Sequence, residues 1–257
     1  MYYVSPKLQA LGVAHAFSTR CGGISPAPFD SLNLGNPNGC DVQDDYARIW
    51  ANYARLLNAI DCPNQPPLRV HQVHGNRVVR VNAANSFDVA DRADAIVSND
   101  AARPISVRTA DCVPILLAST DGKSVAAIHA GWRGIVAGVI PAAIAEMICG
   151  APGLSPQSLV AAIGPCIGRD AFEVGPDVVL AFDRLFAGRA PLNHLPGGKA
   201  LIDLKAAVGL QLLGAGMSED CIDSTDRCTV THRDEFFSHR RDGGVTGRMA
   251  AVILCKA

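Results

Sequence analysis

Cys112 and His129 raise the first chemical question of this chain. They lie in neighbouring apolar runs, TADCVPILLAST (109–120) and KSVAAIHAGWRG (123–134), separated by Asp121–Gly122. A thiolate and an imidazole brought together can share a metal ion or form a nucleophile–base dyad. Each also has a plainer use. A buried cysteine packs as a small hydrophobe, and a lone histidine serves as a satisfied polar side chain. The flanks favour a site. Asp111 places a carboxylate in an apolar run, where an unpaired charge is costly. Gly131 and Gly134 bracket Trp132 and Arg133 just before a helical pattern. Glycine permits close backbone approach, and helix N-termini favour anions.

The hairpin must bring the pair together. Asp121–Gly122 is a type I′ turn signal. With the turn centred there, paired positions sum to 243 and His129 faces Pro114, two residues from Cys112. Residues two apart share a face, so Cys112 and His129 become diagonal neighbours with Cα atoms roughly 7–8 Å apart. Pro114 threatens this register, because proline within a strand favours a bulge and a one-residue slip would separate the faces. A catalytic zinc needs a third protein ligand and an open position. The seven histidines are His15, His71, His74, His129, His194, His232 and His239. His74 falls at a turn signal before Gly75, and His71 would point the other way on a strand. Spacing alone does not choose between them.

The surrounding elements read as follows. Residues 41–60 predict a helix capped by Asp41, with Val42, Tyr46, Ile49, Trp50, Tyr53, Leu56, Leu57 and Ile60 on one face. LRVHQVHGNRVVRVN (68–82) predicts two strands meeting near His74–Gly75–Asn76. Residues 134–150 predict an apolar helix kinked by Pro141. Residues 158–168 predict a short buried strand ending in a turn. Helices are predicted over 176–188, with Pro176 near its start, and 203–216, capped by Asp203. A final strand is predicted in 246–257. CPNQPPL (62–68) and HLPGGKA (194–200) read as loops. Hairpins mixed with helices indicate an α/β chain with mixed sheets, and the absence of a linker indicates a single domain over 1–257.

Composition narrows the class. Of 257 residues 49% are hydrophobic and 18% charged, which permits a large buried core. The net charge of −1 is no footprint for nucleic acid, and no polybasic segment suggests a membrane surface. No basic-then-apolar leader opens the chain, and no apolar run reaches the ~18 residues of a membrane span. Nine cysteines, an odd number without C-x-x-C, suggest free thiols in a reducing compartment. The expectation is a soluble cytoplasmic protein.

QVHG (72–75), TADCVPILL (109–117) and HAGWRG (129–134) resemble, in this order, the YfiH-type family, also called the laccase-domain or polyphenol-oxidase-like family. FSTRCGGISPAPFDSLNLG (17–35), IGPCIG (163–168), CT (228–229) and FFSHRRDGGVTGR (236–248) extend the resemblance over nearly the whole chain. It implies a layered α/β/β/α sandwich. It also implies one metal, taken as zinc, on His74, Cys112 and His129, with copper the alternative. Cys112 and His129 would then be catalytic as well, and His71 falls outside the motif. The implied activities are phosphorolysis of adenosine, inosine, guanosine and methylthioadenosine, and deamination of adenosine. One branch of the family hydrolyses an amide in peptidoglycan precursors. Arg20, Arg133 and Arg240 lie inside matching motifs, and a planar guanidinium suits phosphate, so they are the expected substrate-binding residues. Phe236 or Phe237 offers a face for a base. Cys166 reads as packing. The rival readings are a metal-free Cys112–His129 hydrolase, a copper-dependent polyphenol oxidase, and a non-enzymatic protein with a structural zinc. A structural zinc would need a fourth ligand that the sequence does not offer.

Overall fold

The computed structural model describes residues 1–62, 65–82 and 91–257. Positions 63 and 64 of the proline-rich loop 62–68 lie outside the described residues. Three sheets and six α-helices are present among the residues described.

The sheets follow from alternation along the strands. One runs β1 (Tyr2–Tyr3), β2 (Ala14–Ser18), β13 (Met249–Leu254), β5 (Ile105–Thr109) and is antiparallel throughout. A six-stranded sheet runs β12 (Ile222–Ser224), β8 (Leu159–Ile163), β6 (Val113–Ser119), β7 (Val125–Ala130), β4 (Ala95–Ser98), β3 (Val78–Val81). Its outer pairs, β12 with β8 and β3 with β4, are parallel; the inner ones are antiparallel. A small third sheet joins β10 (Leu192–His194), β11 (Ala200–Ile202) and β9 (Glu173–Val174).

Side chains alternate faces along a strand, and each face here meets a different partner. Leu116 and Ala118 of β6 pack between the two large sheets, together with Val125 and Ala127 of β7 and Ala251 and Ile253 of β13. Val113, Ile115 and Leu117 point the other way, onto α3 (Trp132–Ala137), α4 (Val139–Gly150), α5 (Pro176–Leu185) and α6 (Leu204–Gly214). Ala250 and Val252 point outward onto Ile49, Tyr53, Leu56 and Leu57 of α2 (Tyr46–Ala59). The order helix, sheet, sheet, helix is the layered sandwich that the resemblance implied. A short α1 (Pro6–Ala10) precedes β2.

The hairpin keeps the expected register. Pro114 pairs with His129 and Val113 with Ala130, without a bulge. The proline is tolerated because His129 donates its backbone N–H to Asp94, while the Pro114 carbonyl accepts from Gly164. The missing N–H is therefore not one that β7 needs. The turn differs from type I′, which requires positive φ at both central residues. Within the turn Gly122 takes a positive φ, 74°, and Asp121 does not. The loop closes through Ser119 and Ser124, and Asp121 accepts from the Ser119 hydroxyl and the Lys123 N–H.

Three further expectations are corrected. The N-cap of α2 is Asp45, which accepts from Ala47; Asp41 lies upstream, where Asn36 and Asn33 anchor Asp44. Val42 and Tyr46, expected on the apolar face, are exposed in consequence. The break in 134–150 is at Gly138, left-handed at φ 81°, which ends α3 and starts α4; Pro141 sits harmlessly in the first turn of α4. Finally, the two halves of 68–82 do not pair with each other. Leu68 bridges to Ile105 of β5, whereas β3 joins the other large sheet beside β4. The expected Pro176 start and Asp203 cap are present as read, and Asp203 accepts from Ala206.

Candidate metal centre

The site forms where β7 ends, β6 begins and the 71–75 segment turns between the sheets. His129 has the strand parity of Val125 and Ala127, so its ring enters the layer between the large sheets. Cys112 immediately precedes β6. His74 is left-handed, at φ 61°, and is held so by one buried carboxylate. Asp94, fully buried, accepts from the N–H groups of His74 (2.9 Å), Gly75 (2.7 Å) and Val73 (3.2 Å). The same Asp94 is 2.8 Å from His129 Nδ1. One side chain thus builds the turn carrying one imidazole and orients the other.

Gln72 fixes the segment from the other side. Its amide donates to the Arg108 carbonyl (2.7 Å) and accepts from the Arg108 N–H (2.9 Å), so a side chain replaces a ladder residue along β5. Asp111, at φ 88°, accepts from Thr229 Oγ1 (2.6 Å) and the Arg240 N–H (2.7 Å). That resolves the carboxylate in the apolar run and sets the backbone just before Cys112.

His74, Cys112 and His129 offer donor atoms that all lie within 4.8 Å of one another, the one such group among the described residues. Cys112 Sγ stands 3.8 Å from His74 Nε2, and the two imidazole rings meet edge-on at 4.9 Å. Gly131 is what leaves room. A Cβ there would lie 2.7 Å from His74 Cδ2 and 3.0 Å from Cys112 Sγ.

The electrostatics suit a soft cation. Burial would raise the Cys112 thiol, but the charge of His129 and hydrogen bonds from His129 and His74 outweigh it and bring it down to about 6. Burial would likewise lower His129, but Cys112 and the Asp94 carboxylate outweigh it and raise it to about 9. With Asp94 on Nδ1, His129 presents Nε2 to the cluster, the arrangement metal-binding histidines adopt. Two imidazoles and a thiolate fit a three-ligand zinc site with an open position.

These directions give metal binding a pH dependence. Between about pH 7 and 9 the metal-free pair is thiolate and imidazolium, so His129 must release its Nε2 proton to offer a lone pair. Apparent affinity is expected to rise about tenfold per pH unit up to about 9 and then level off. Competition against a chromophoric chelator across this range measures it; a flat profile would mean His129 is already neutral at pH 7.

The cluster lines a cavity of about 300 Å³, shared with Gln72, Arg108, Phe172, His239, Arg240 and Arg248. That volume is at the lower end for small-molecule sites, ~300–1,000 Å³. A larger cavity, about 660 Å³, opens near the hairpin turn, with no histidine or cysteine in its lining.

The expected arginines separate. Arg240 lines the metal-site cavity, its guanidinium reaching the Glu173 carbonyl at 3.1 Å and standing over Phe172. Arg20 lines a different cavity, where it pairs with Asp30 at 3.1 Å and stands over Phe237. Arg133 is exposed and lies over the ring of Trp132. Phe236 and Phe237 are fully buried, so neither presents a face to a base; Phe172 is the aromatic ring in the lining. His71 is exposed and bridges to Arg92, outside the cluster. Cys166 is buried against its own loop, and burial pushes its thiol up to about 12. All nine cysteines are free.

Asp94, Gln72, Arg108 and Arg248 were not singled out from the sequence. An unpaired carboxylate is as costly at Asp94 as at Asp111, since RADAIVS puts it at the head of a buried strand. Arg108 is likewise the one charge in ISVRTA, and Arg248 directly precedes the buried β13.

A layered sandwich with a His–Cys–His cluster at the end of its sheets defines the class. The chain belongs to the family described as multi-copper polyphenol oxidoreductase laccase, whose model it matches over residues 14–256. It is 40% identical over 245 residues to the protein named purine nucleoside phosphorylase YfiH of Escherichia coli (strain K12), covering 95% of each chain. It is 36% identical over 250 residues to the purine nucleoside phosphorylase of Deinococcus radiodurans, covering 96% of this chain and 92% of that one. Among solved structures, YlmD from Geobacillus stearothermophilus matches with a TM-score of 0.87 at 32% identity, over 98% of this chain and 94% of that one. Neisseria meningitidis protein NMB0706 matches with 0.82 at 37% identity, over 95% of each. No helix among the described residues is long and apolar enough to cross a membrane.

Proposed function

We propose that this protein is an enzyme that cleaves purine nucleosides with phosphate, using a zinc ion held by His74, Cys112 and His129. The observation that carries the reading is the three-donor cluster in a cavity whose lining also holds three arginines. Full-length relatives named purine nucleoside phosphorylase support the substrate class. Zinc at these residues would supply Lewis acidity and lower the pKa of a bound water. The chain supplies the rest. Asp94 holds the proton on His129 Nδ1 and fixes the ring. Phe172 offers an apolar face, and Arg240 offers a fixed positive charge at the cavity wall. The lining supports a substrate contact for Arg240, and gives none to Arg20 or Arg133. The substrates expected are adenosine, inosine, guanosine and methylthioadenosine, acted on in the cytoplasm.

Deamination of adenosine is the second reading, because the same donor set suits an activated water. Amide hydrolysis and a metal-free Cys112–His129 hydrolase use the same residues. The copper oxidase reading is weaker, since one three-donor group among the described residues is fewer than a multicopper site needs. Product analysis decides between these. Metal-replete protein offered adenosine should yield adenine and ribose 1-phosphate in the presence of phosphate, and no adenine without it. Inosine formed regardless of phosphate would make the protein a deaminase. No reaction with adenosine, inosine or guanosine would remove nucleoside chemistry altogether.

A further inference from the structure

Arg108 and Arg248 are cations that enter no ion pair among the described residues, although the charges of Cys112 and Asp111 act on Arg248. Arg108 pairs with Ala250 across β5 and β13, so Arg248, two residues earlier, is its diagonal neighbour on the same face. The Arg108 guanidinium makes no hydrogen bond to any described residue, and its Nε is buried without a partner. Arg248 donates to two carbonyls, those of Thr246 and Gly247. No described carboxylate forms an ion pair with either. Burial holds both below the usual guanidinium range, and each lies near another arginine: Arg69 beside Arg108, and Arg108 beside Arg248. Asp111, the carboxylate of the same cavity, is already engaged through both oxygens by Thr229 and the Arg240 backbone.

The arrangement is built rather than loose. A Cβ on Gly35 would stand 2.6 Å from Arg108 Cδ and 3.0 Å from one terminal nitrogen, so glycine there gives the side chain its path. Gln72 clamps the Arg108 backbone on both polar groups. Both arginines line the cavity that holds the metal cluster. Buried charges are ordinarily paired, and guanidinium matches a tetrahedral oxyanion through paired donors.

We propose that Arg108 and Arg248 form a subsite for a phosphate dianion in the wall of the metal-site cavity. Its role in catalysis rests on the phosphorolysis reading above, in which the occupant is the inorganic phosphate co-substrate. The same chemistry would also receive the 5′-phosphate of a nucleotide.

The test is calorimetric titration of metal-replete protein with inorganic phosphate, adenosine 5′-monophosphate and adenosine. The proteins are wild type, Arg108→Met, Arg248→Met and Gly35→Ala, with Arg55→Met, an exposed residue of α2, as control. Inorganic phosphate should bind at least tenfold more weakly to both arginine variants, and more weakly to Gly35→Ala, with adenosine affinity within twofold of wild type. Arg108→Met should also melt at a higher temperature than wild type without phosphate, because a like charge is gone, and phosphate should no longer raise its melting point. A loss seen with adenosine 5′-monophosphate but not with inorganic phosphate keeps the subsite and makes a phosphomonoester its occupant. Unchanged binding of both ligands in Arg108→Met and Arg248→Met overturns it. The two readings fail separately. Arg108-dependent phosphate binding without adenine release would remove phosphorolysis and leave the subsite; phosphate-dependent adenine release with Arg108-independent binding would do the reverse.

Discussion

Cys112→Ala should lose stoichiometric zinc and nearly all activity while remaining folded. The thiol supplies one of three donors, and its depressed pKa provides a thiolate near neutral pH. Two imidazoles remain, one of which, His129, then loses one of the two anions that favour its protonated form. The loss of metal affinity should exceed the roughly 10–100-fold that follows removal of a hydrogen-bond partner behind a ligand. Alanine leaves a small void beside Gly131 rather than an unpaired charge, so the fold should survive. Elemental analysis of protein purified without added metal gives the answer, with His74→Ala and His71→Ala alongside. His74→Ala should lose metal, and His71→Ala should keep it, because His71 lies outside the cluster. Full zinc in Cys112→Ala would sink the ligand assignment. Activity that persists after chelation but vanishes in Cys112→Ala would instead make the thiolate a nucleophile with His129 as its base.

Asp94→Ala should be the most destabilising single change at the site, with a cost of about 3–5 kcal/mol. It removes a fully buried carboxylate that accepts from three successive N–H groups and faces His129. The buried His129 imidazolium would lose the carboxylate at Nδ1 and keep only the Cys112 thiolate, and the turn at His74 would lose what holds φ positive. Metal affinity should fall by about 10–100-fold as well, through the freed orientation of His129. Urea unfolding of the metal-free protein isolates the first effect, and chelator competition the second. Asp94→Asn separates charge from shape. It keeps an acceptor of the same size, so stability should fall less, while the His129 pKa should drop well below about 9. A wild-type His129 titration in Asp94→Asn would show that the carboxylate does not set its charge.

The parts legible in sequence were those governed by neighbours along the chain. Strand parity and Asp121–Gly122 were enough to place His129 opposite Pro114, even though the turn is wider than type I′. Pro176 and Asp203 start their helices because a cap acts within one turn. The position of His74 was not derivable in this way. It depends on Asp94, twenty residues on, and on Gln72 reaching Arg108, thirty-six residues on. Only the resemblance chose it over His71. The arginines divide for the same reason: Arg240 lines the cavity, and Arg20 and Arg133 do not. Arg20 and Arg133 precede glycines, as anion-binding residues often do, yet Arg20 pairs with Asp30 and Arg133 lies over Trp132. The other two arginines of the lining, Arg108 and Arg248, come together through the pairing of β5 with β13, whose members are some 140 residues apart in the chain. Asp41 was displaced as a cap by Asp45 because contacts from Asn33 and Asn36 hold Asp44 outside the helix.

Gly131 carries a consequence for how the site relates to the fold. Its backbone, at φ −72° and ψ 165°, is one that any residue can adopt. Nothing in the path of the chain calls for glycine there. The unfolded chain keeps the extra freedom of that residue, which disfavours folding by about 0.4–1 kcal/mol relative to alanine at a compatible position. In return no side-chain atom of residue 131 crowds His74 and Cys112. Stability and room for the two side chains are therefore opposed at one backbone position. A methyl group at residue 131 would leave every proposed ligand in the chain and still force His74 and Cys112 out of their present positions.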